Sequence, residues 1–210
     1  MAAEYLVYGA PGSGSVAVEA ALTLAGAPFR VEDVLSDEAL AATPLRQVPA
    51  LRLPDGQLMT ESAAILLHLA EAHRAARLAP VPGEPGRPAF LRWMSFVSAA
   101  IYALYWVRDE PSRVVDGEVA QAEVQRRIEE RFTHCWSVMN RSVAPSPWLG
   151  GEHISVLDVY VGVVSRWEPG RRRFYETAPR LAEVVRLVDA EPRLQALWSK
   201  RFPFKPGWED

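Results

Sequence analysis

The apolar and polar positions of the first third of the chain alternate between strand and helix patterns. Glu4 to Gly9 is apolar and aromatic and ends at a glycine, which predicts a strand. The alanine-rich segment from about Ser15 to Ala25 predicts a helix, with Gly26 as its C-terminal cap. Phe29 to Val34 alternates as a second strand does, and residues 36 to 42 predict at most a short helix or turn.

The stretch from Arg46 to Ser62 combines a turn signal with a helix start. Its short runs, Ala50 to Leu53 and Gln57 to Met59, flank Pro54-Asp55-Gly56, so they predict an antiparallel hairpin. A helix then begins at Glu61-Ser62. Because a helix N-terminus presents unpaired N–H groups and a partial positive charge, it favours an anionic group. We therefore expect a small acidic ligand here.

The strand pattern stops at a linker. Ala79 to Pro88 has four prolines and two glycines in ten residues, which argues against a helix or a central strand. The remaining pattern predicts five helices: Ala89 to Arg108, Glu118 to Met139, and three that begin at Ser155, near Arg180 and after Pro192. The expected organisation is an α/β domain over 1–78, a linker over 79–88 and an all-α domain over 89–210.

The helix predicted at Ser155 carries a capping-box spacing. Ser155 stands three residues before Asp158, while Ile154 and Val159 occupy the positions of a hydrophobic staple. This pattern supports folding, and we interpret Asp158 as a structural residue.

Composition narrows the classes of function. The 210 residues are 49% hydrophobic with a net charge of −3, which favours a globular domain and argues against a nucleic-acid or membrane-surface partner. Because Cys135 is the single cysteine, no internal disulfide can form, and a reducing cytoplasm is the simplest setting. No signal peptide or membrane span is expected. The four histidines lack metal-ligand spacing, so no metal is expected.

The glycine-rich segment Gly9 to Ser15 follows a strand and precedes a helix, which is the setting of a phosphate-binding loop. Such a loop needs a lysine after its last glycine, where this chain has Ser15 and Val16. A dinucleotide fingerprint fails as well, because the glycine spacing is wrong and no long parallel sheet follows. Both nucleotide-binding interpretations are rejected.

Three motifs in this order resemble the glutathione S-transferase family. They are Thr43-Pro44-Leu45-Arg46-Gln47-Val48-Pro49-Ala50-Leu51, Leu58-Met59-Thr60-Glu61-Ser62-Ala63-Ala64-Ile65, and Ile154-Ser155-Val156-Leu157-Asp158. Their order and spacing cover nearly the whole chain. The resemblance implies a thioredoxin-like N-terminal domain followed by an all-helical C-terminal domain.

The resemblance also implies a glutathione site. Pro49 would be a cis proline, and the backbone of Val48 would pair with the cysteinyl residue of glutathione as an added strand does. Glu61 would accept the α-amino group, and Ser62 would bind the α-carboxylate. Gln47 lies near enough in sequence to help. The alternative is that Glu61-Ser62 only caps the helix. The hairpin and the Val48-Pro49 dipeptide before it favour glutathione binding over this alternative.

The residue that contacts the glutathione thiol stays open at this stage. Family members that use serine place it in the loop after the first strand, where Ser13 is the nearest match and Ser15 the second, the latter also being a candidate helix N-cap. Tyr8 lies where tyrosine-using members carry theirs. Gly14 stands where cysteine-using members carry a cysteine, and Cys135 is distant in sequence, so mixed-disulfide chemistry is not favoured.

The resemblance implies an enzyme that conjugates glutathione, its co-substrate, to small hydrophobic electrophiles, working as a cytoplasmic homodimer without a metal. Tyr105 and Trp106 are the preferred candidates for the wall of the electrophile pocket. Two alternatives stay open: a non-catalytic interaction module with the same fold, or a glutathione-dependent isomerase, dehalogenase or peroxidase.

Overall fold

The computed structural model describes residues 4–34, 43 and 45–204, and the expected turn over residues 36–42 lies outside these ranges. Four strands form one sheet in the order β2-β1-β3-β4: β1 (Tyr5–Gly9), β2 (Phe29–Asp33), β3 (Ala50–Arg52) and β4 (Leu58–Met59). β1 runs parallel to β2 and antiparallel to β3, and β3 pairs antiparallel with β4. The predicted hairpin and both earlier strands are confirmed.

Two helices accompany the sheet. α1 (Ser15–Ala25) ends at Gly26, whose φ of 63° supplies the left-handed cap, and α2 (Ser62–Ala72) follows the hairpin. α1 is buried on nearly every face, because it contacts β1 and α2 on one side and a helix of the C-terminal region on the other. Sheet and helices together form the expected thioredoxin-like region.

Between Arg87 and Phe204 the chain is mainly helical. Its α-helices are α3 (Arg87–Phe96), α4 (Tyr105–Arg108), α5 (Glu118–Ser142), α6 (Val156–Val164), α7 (Arg171–Thr177), α8 (Pro179–Ala190) and α9 (Gln195–Arg201). The sequence analysis missed α7, because seven arginine-rich residues are too few to show a helical period. We call this part of the chain the helical region.

The capping box at the start of α6 is present. The Ser155 N–H donates to Asp158 Oδ2 at 2.8 Å, and the Asp158 N–H donates to Ser155 Oγ at 3.4 Å. A second carboxylate oxygen of Asp158 accepts from the Leu149 N–H at 2.8 Å. Asp158 is fully buried, so its place in the helical region is structural, as predicted.

The segment predicted as one helix from Ala89 to Arg108 is interrupted, so that prediction was wrong in its geometry. After α3 the chain makes a π-helical turn over Val97–Ile101 and a 3-10 turn over Tyr102–Leu104 before α4 begins. A π turn inserts one extra residue, which an apolar pattern does not reveal, and such turns occur often at functional sites. This one lies immediately before Tyr102.

The same segment satisfies a length and composition test for a membrane span. Arg87–Arg108 is 22 residues long with a mean hydropathy of 1.3. Core helices of water-soluble proteins pass the same test, and here the segment contacts α5 and α6 of the helical region. About 33% of its most apolar window is buried, so packing within the fold accounts for part of its apolar character.

Candidate functional site

A cavity of about 710 Å³ lies between the thioredoxin-like region and the helical region, a volume that suits a small ligand. We call it the cleft. One wall comes from the hairpin stretch and the start of α2, and the other comes from the α3–α4 segment. The predicted or aromatic side chains among the lining residues are Gln47, Val48, Pro49, Glu61, Ser62, Tyr102, Tyr105 and Trp106.

The Val48–Pro49 peptide is cis and leads directly into β3. Within the described residues, no hydrogen bond occupies the Val48 N–H, and the Val48 carbonyl has one long contact, the Tyr102 hydroxyl at 3.5 Å. Gln47 is exposed at the cleft, and its backbone N–H donates to Thr43 Oγ1 at 3.0 Å. The backbone of Val48 is thus available to an extended ligand strand.

Glu61 and Ser62 form the start of α2 on the same wall. Glu61 is exposed and has a φ of 66°, a left-handed conformation that is uncommon for a residue other than glycine. Strain of this kind costs roughly 1–3 kcal/mol and is found at ligand sites. Among the described residues, the Glu61 carboxylate has no hydrogen bond or ion pair. The Glu61 carboxylate is therefore available to a positively charged group of a ligand.

Ser62 is 7% exposed, and its hydroxyl shares a 2.7 Å hydrogen bond with the hydroxyl of Tyr160 in α6. Burial raises the pKa of Tyr160 to about 12, so the Tyr160 hydroxyl stays protonated near neutral pH. Tyr160 can therefore donate to Ser62 Oγ and leave the Ser62 proton free for an anion. The sequence analysis missed this residue, because 98 positions separate the two hydroxyls.

We call Ala10 to Ser15 the β1–α1 loop; it holds the two predicted catalytic serines, and their hydroxyls are already engaged within it. Ser13 Oγ donates to the Ala10 carbonyl at 2.7 Å and accepts from the Ser15 N–H at 3.2 Å. Ser15 is fully buried and donates to Glu19 Oε1 at 3.0 Å. Ser15 therefore has no access to a ligand in the cleft. Its hydroxyl joins the end of the loop to Glu19 of α1.

Tyr8 lies away from the cleft. Its ring packs with Leu6, Val34 and Ala50, and its hydroxyl accepts hydrogen bonds from the Arg52 guanidinium at 3.2 and 3.4 Å. Tyr8 therefore packs as an aromatic side chain of β1. Tyr8 is not among the residues that line the cleft.

The β1–α1 loop is held by the helical region. The Gly12 N–H donates to the carbonyl of Arg201 at 2.8 Å, and the indole N–H of Trp167 donates to the Gly12 carbonyl at 2.7 Å. The Arg201 guanidinium pairs with Glu19 at 2.8 Å and with Asp33 at 2.6 Å. Arg201 holds the pKa of Asp33 below its usual value. The loop position thus depends on contacts between distant parts of the chain.

Tyr105 and Trp106, the candidates for the wall of the electrophile pocket, both line the cleft. Tyr105 is buried and stacks on Phe132 with ring centroids 4.5 Å apart, whereas Trp106 is 47% exposed. A second cavity of about 790 Å³ adjoins the cleft, and Tyr102 and Tyr105 line both. Ser13 opens onto this second cavity and not onto the cleft.

Within residues 4–34, 43 and 45–204, no group of three or more histidine, cysteine or acidic side chains is arranged to hold a metal ion. Cys135 is buried in α5, and burial raises the pKa of its thiol.

A thioredoxin-like sheet joined to a helical region, with a cleft between them, places the chain in a recognisable structural class. A crystal structure of a glutathione transferase homolog from Sulfitobacter with bound glutathione superimposes with a TM-score of 0.84 at 24% identity, covering 94% of this chain and 98% of that one. A glutathione transferase from Methylococcus capsulatus gives a TM-score of 0.75 at 27% identity with the same coverage.

Sequence comparisons agree with this class. Residues 15–72 match the model of the glutathione S-transferase N-terminal domain. The uncharacterized GST-like protein YncG of Escherichia coli K12 is 30% identical over 197 residues, covering 90% of this chain and 94% of that protein. Glutathione S-transferase GstA of Escherichia coli O157:H7 is 23% identical over 193 residues, covering 88% of this chain and 92% of that protein. The chain belongs to the glutathione S-transferase family.

Proposed function

We propose that the protein is a glutathione transferase, which activates the thiol of glutathione for attack on small hydrophobic electrophiles. The observation that carries the proposal is the wall of the cleft, where the backbone of Val48, the Glu61 carboxylate and the Ser62 hydroxyl face one cavity. These groups match the peptide, amino and carboxylate groups of a γ-glutamyl tripeptide. The Sulfitobacter homolog, of the same fold, was crystallised with glutathione.

In the proposed complex, the cysteinyl residue of glutathione pairs with the backbone of Val48, as a strand added to a sheet does. The α-amino group meets the Glu61 carboxylate. The α-carboxylate meets the Ser62 hydroxyl and the N–H groups at the start of α2, where the helix dipole favours an anion. Gln47 supplies a further polar side chain at the mouth of the cleft.

The chemistry proposed is formation of a thioether. A free thiol titrates near ~8.5, so a nearby hydrogen-bond donor and the N-terminus of α1 would increase the thiolate fraction at neutral pH. The thiolate sulfur forms a bond to an electrophilic carbon, and the leaving group departs with the bonding electrons. The second cavity, which contains Trp167 and Phe202, is the proposed place for the electrophile.

The wider organisation is proposed on the same basis. We assign residues 1–78 to a glutathione-binding domain, 79–88 to a linker and 89–210 to a helical domain, and we propose a cytoplasmic homodimer. Size-exclusion chromatography with light scattering tests the dimer, which a monomeric mass across the working concentration range would contradict.

Titration with glutathione by calorimetry, followed by the ultraviolet absorbance of the bound thiolate at several pH values, tests the proposal. We expect saturable binding and a thiol pKa below that of free glutathione. Binding without a lowered thiol pKa would favour the alternative of a glutathione-binding module without transferase activity. Absence of binding would overturn the assignment.

A further inference from the structure

Gly14 precedes α1 at a position where the structure leaves no space for a side chain. Its φ of −62° and ψ of −15° are ordinary for any amino acid, so the backbone does not require glycine. The requirement comes from space. A Cβ built on Gly14 would lie 2.0 Å from the hydroxyl oxygen of Tyr102 and 2.8 Å from its Cζ. The Tyr102 hydroxyl fills the place that a side chain at position 14 would take.

Tyr102 reaches this place because of the π turn before it. That turn, Val97–Ile101, ends at Tyr102, and its extra residue changes the direction of the side chains that follow. The ring then packs edge-on against Trp167 with centroids 4.8 Å apart and tilts against Tyr160 at 6.0 Å. Trp167 is itself bonded to the Gly12 carbonyl. Ring packing therefore fixes the hydroxyl beside the β1–α1 loop.

The Tyr102 hydroxyl stays protonated at neutral pH and can act as a hydrogen-bond donor. Burial raises its pKa above the ordinary value, with smaller contributions from Tyr160 and Glu61, so the hydroxyl keeps its proton throughout the neutral range. Its described acceptor is the Val48 carbonyl at 3.5 Å, which is a long and weak contact. The proton of Tyr102 is therefore available to a stronger acceptor close to Val48.

We propose that Tyr102, from the helical region, is the residue that donates a hydrogen bond to the glutathione thiolate, in place of a side chain from the β1–α1 loop. The inference rests on the proposed function, because it assumes glutathione in the cleft. It also rests on the position of the Tyr102 hydroxyl, which lies between Gly14 at the N-terminus of α1 and the Val48 carbonyl. In the proposed complex, a cysteinyl residue paired with the Val48 backbone would place its sulfur near the Tyr102 hydroxyl.

The three loop and strand candidates fit this role less well. Ser13 gives its proton to the Ala10 carbonyl, Ser15 is fully buried with its hydroxyl on Glu19, and Tyr8 is bonded to Arg52. None of the three lines the cleft, whereas Tyr102 does. Tyr102 also lines the second cavity, so it stands where the two reactants would meet.

The direct test is Tyr102→Phe, which removes the hydroxyl and keeps the ring. Since a hydrogen bond to a charged group contributes roughly 1.5–3 kcal/mol, we expect the pKa of bound glutathione to rise by about one to two pH units. The value of kcat/KM should fall about ten- to a hundredfold, with glutathione affinity in its thiol form within about twofold. Tyr5→Phe is the matched control, because the Tyr5 hydroxyl is bonded to His73 outside the cleft.

A second variant tests the geometry without touching the tyrosine. Gly14→Ala adds a methyl group that forces the Tyr102 hydroxyl away, so it should raise the thiol pKa by a similar amount. Gly86→Ala is its matched control: Gly86 precedes α3 with a φ of −75° and a ψ of −15°, and an added Cβ meets Pro80 at an ordinary 3.8 Å.

The outcomes separate this inference from the proposed function. A lowered thiol pKa in the wild-type protein that persists in Tyr102→Phe would overturn the role of Tyr102 and leave the transferase standing, and Ser13→Ala would then be the variant that shifts it. Glutathione binding without any lowered pKa in the wild-type protein would overturn the role of Tyr102 and retain binding. Absence of glutathione binding would overturn both.

Discussion

The two ends of the cleft are built in different ways. The end that would hold the γ-glutamyl group is lined by two neighbouring residues, which supply the Glu61 carboxylate and the Ser62 hydroxyl. The place proposed for the sulfur lies where the cleft meets the second cavity, between Tyr102, which lines both, and Gly14, which lines the second cavity. Gly14 and Tyr102 are far apart in sequence and meet only in the folded chain. A hairpin and a helix start define the first end, and packing between two regions defines the second.

The two ends should respond differently to substitution. At the γ-glutamyl end the Glu61 carboxylate is exposed, so its replacement should alter affinity more than stability, whereas Ser62 is also bonded to Tyr160 of the helical region. The sulfur end depends on a loop held by Arg201 and Trp167 of the helical region and on a ring placed by a π turn. Changes in the anchors of that end should alter stability and thiol activation together.

The largest expected effect is the loss of an anchor at the sulfur end. Arg201→Met removes the partner of Glu19, which is 1% exposed, and leaves a buried carboxylate unpaired. Breaking a buried pair in this way costs roughly 3–5 kcal/mol of unfolding free energy. Urea denaturation measures the change.

The control for that variant is Arg126→Met in α5, where the arginine pairs with Glu123 on the surface and little change is expected. Equal losses in the two variants would contradict an anchoring role for Arg201.

The next effect belongs to the γ-glutamyl end. Glu61→Gln removes the charge that would meet the α-amino group, and we expect glutathione affinity to fall about ten- to a hundredfold, the equivalent of roughly 1.5–3 kcal/mol. The thiol pKa of glutathione at saturation should stay as in the wild-type protein. Calorimetry with glutathione and with its deaminated analogue checks this, because the analogue should bind both proteins equally. A changed thiol pKa would show that the two ends are coupled.

A smaller effect is expected from the hydrogen bond that joins Ser62 to Tyr160. Ser62→Ala should weaken glutathione binding and also lower stability by about 1–2 kcal/mol, since it leaves the buried Tyr160 hydroxyl unsatisfied. Tyr160→Phe keeps the Ser62 hydroxyl and should weaken binding less, by about two- to fivefold. Calorimetry and thermal unfolding of both variants compare the two. Identical affinities in wild type and Ser62→Ala would limit Ser62 to a structural role through its bond to Tyr160.

The smallest effect concerns acid stability. Because Arg201 lowers the folded-state pKa of Asp33, the carboxylate contributes stability above its unfolded value of ~3.9, and that contribution is lost as pH falls through the folded pKa. Asp33→Asn should therefore lose less stability than the wild-type protein between about pH 4 and pH 2. Denaturation curves at several pH values test this. Equal losses of unfolding free energy in the two proteins as the pH falls would show that the Asp33–Arg201 pair does not contribute to stability.

The thiol-contacting residue shows where sequence reasoning stops. The sequence analysis preferred Tyr105 and Trp106 for the wall of the electrophile pocket; both line the cleft, and Tyr105 also lines the second cavity. Tyr102 was passed over because helical spacing does not show the π turn that directs it. What singles out Tyr102 is that a Cβ built on Gly14 would lie 2.0 Å from its hydroxyl, a contact that only the folded structure shows.

Local sequence patterns were enough to predict the two early strands, the hairpin and the capping box at Ser155, because turn chemistry, side-chain alternation and helix caps act over a few neighbouring residues. The burial of Ser15, the bond between Ser62 and Tyr160, and the approach of Tyr102 to Gly14 became visible only in the folded chain. These contacts join residues distant along the chain, and their distances follow from how whole helices pack, which no local pattern encodes.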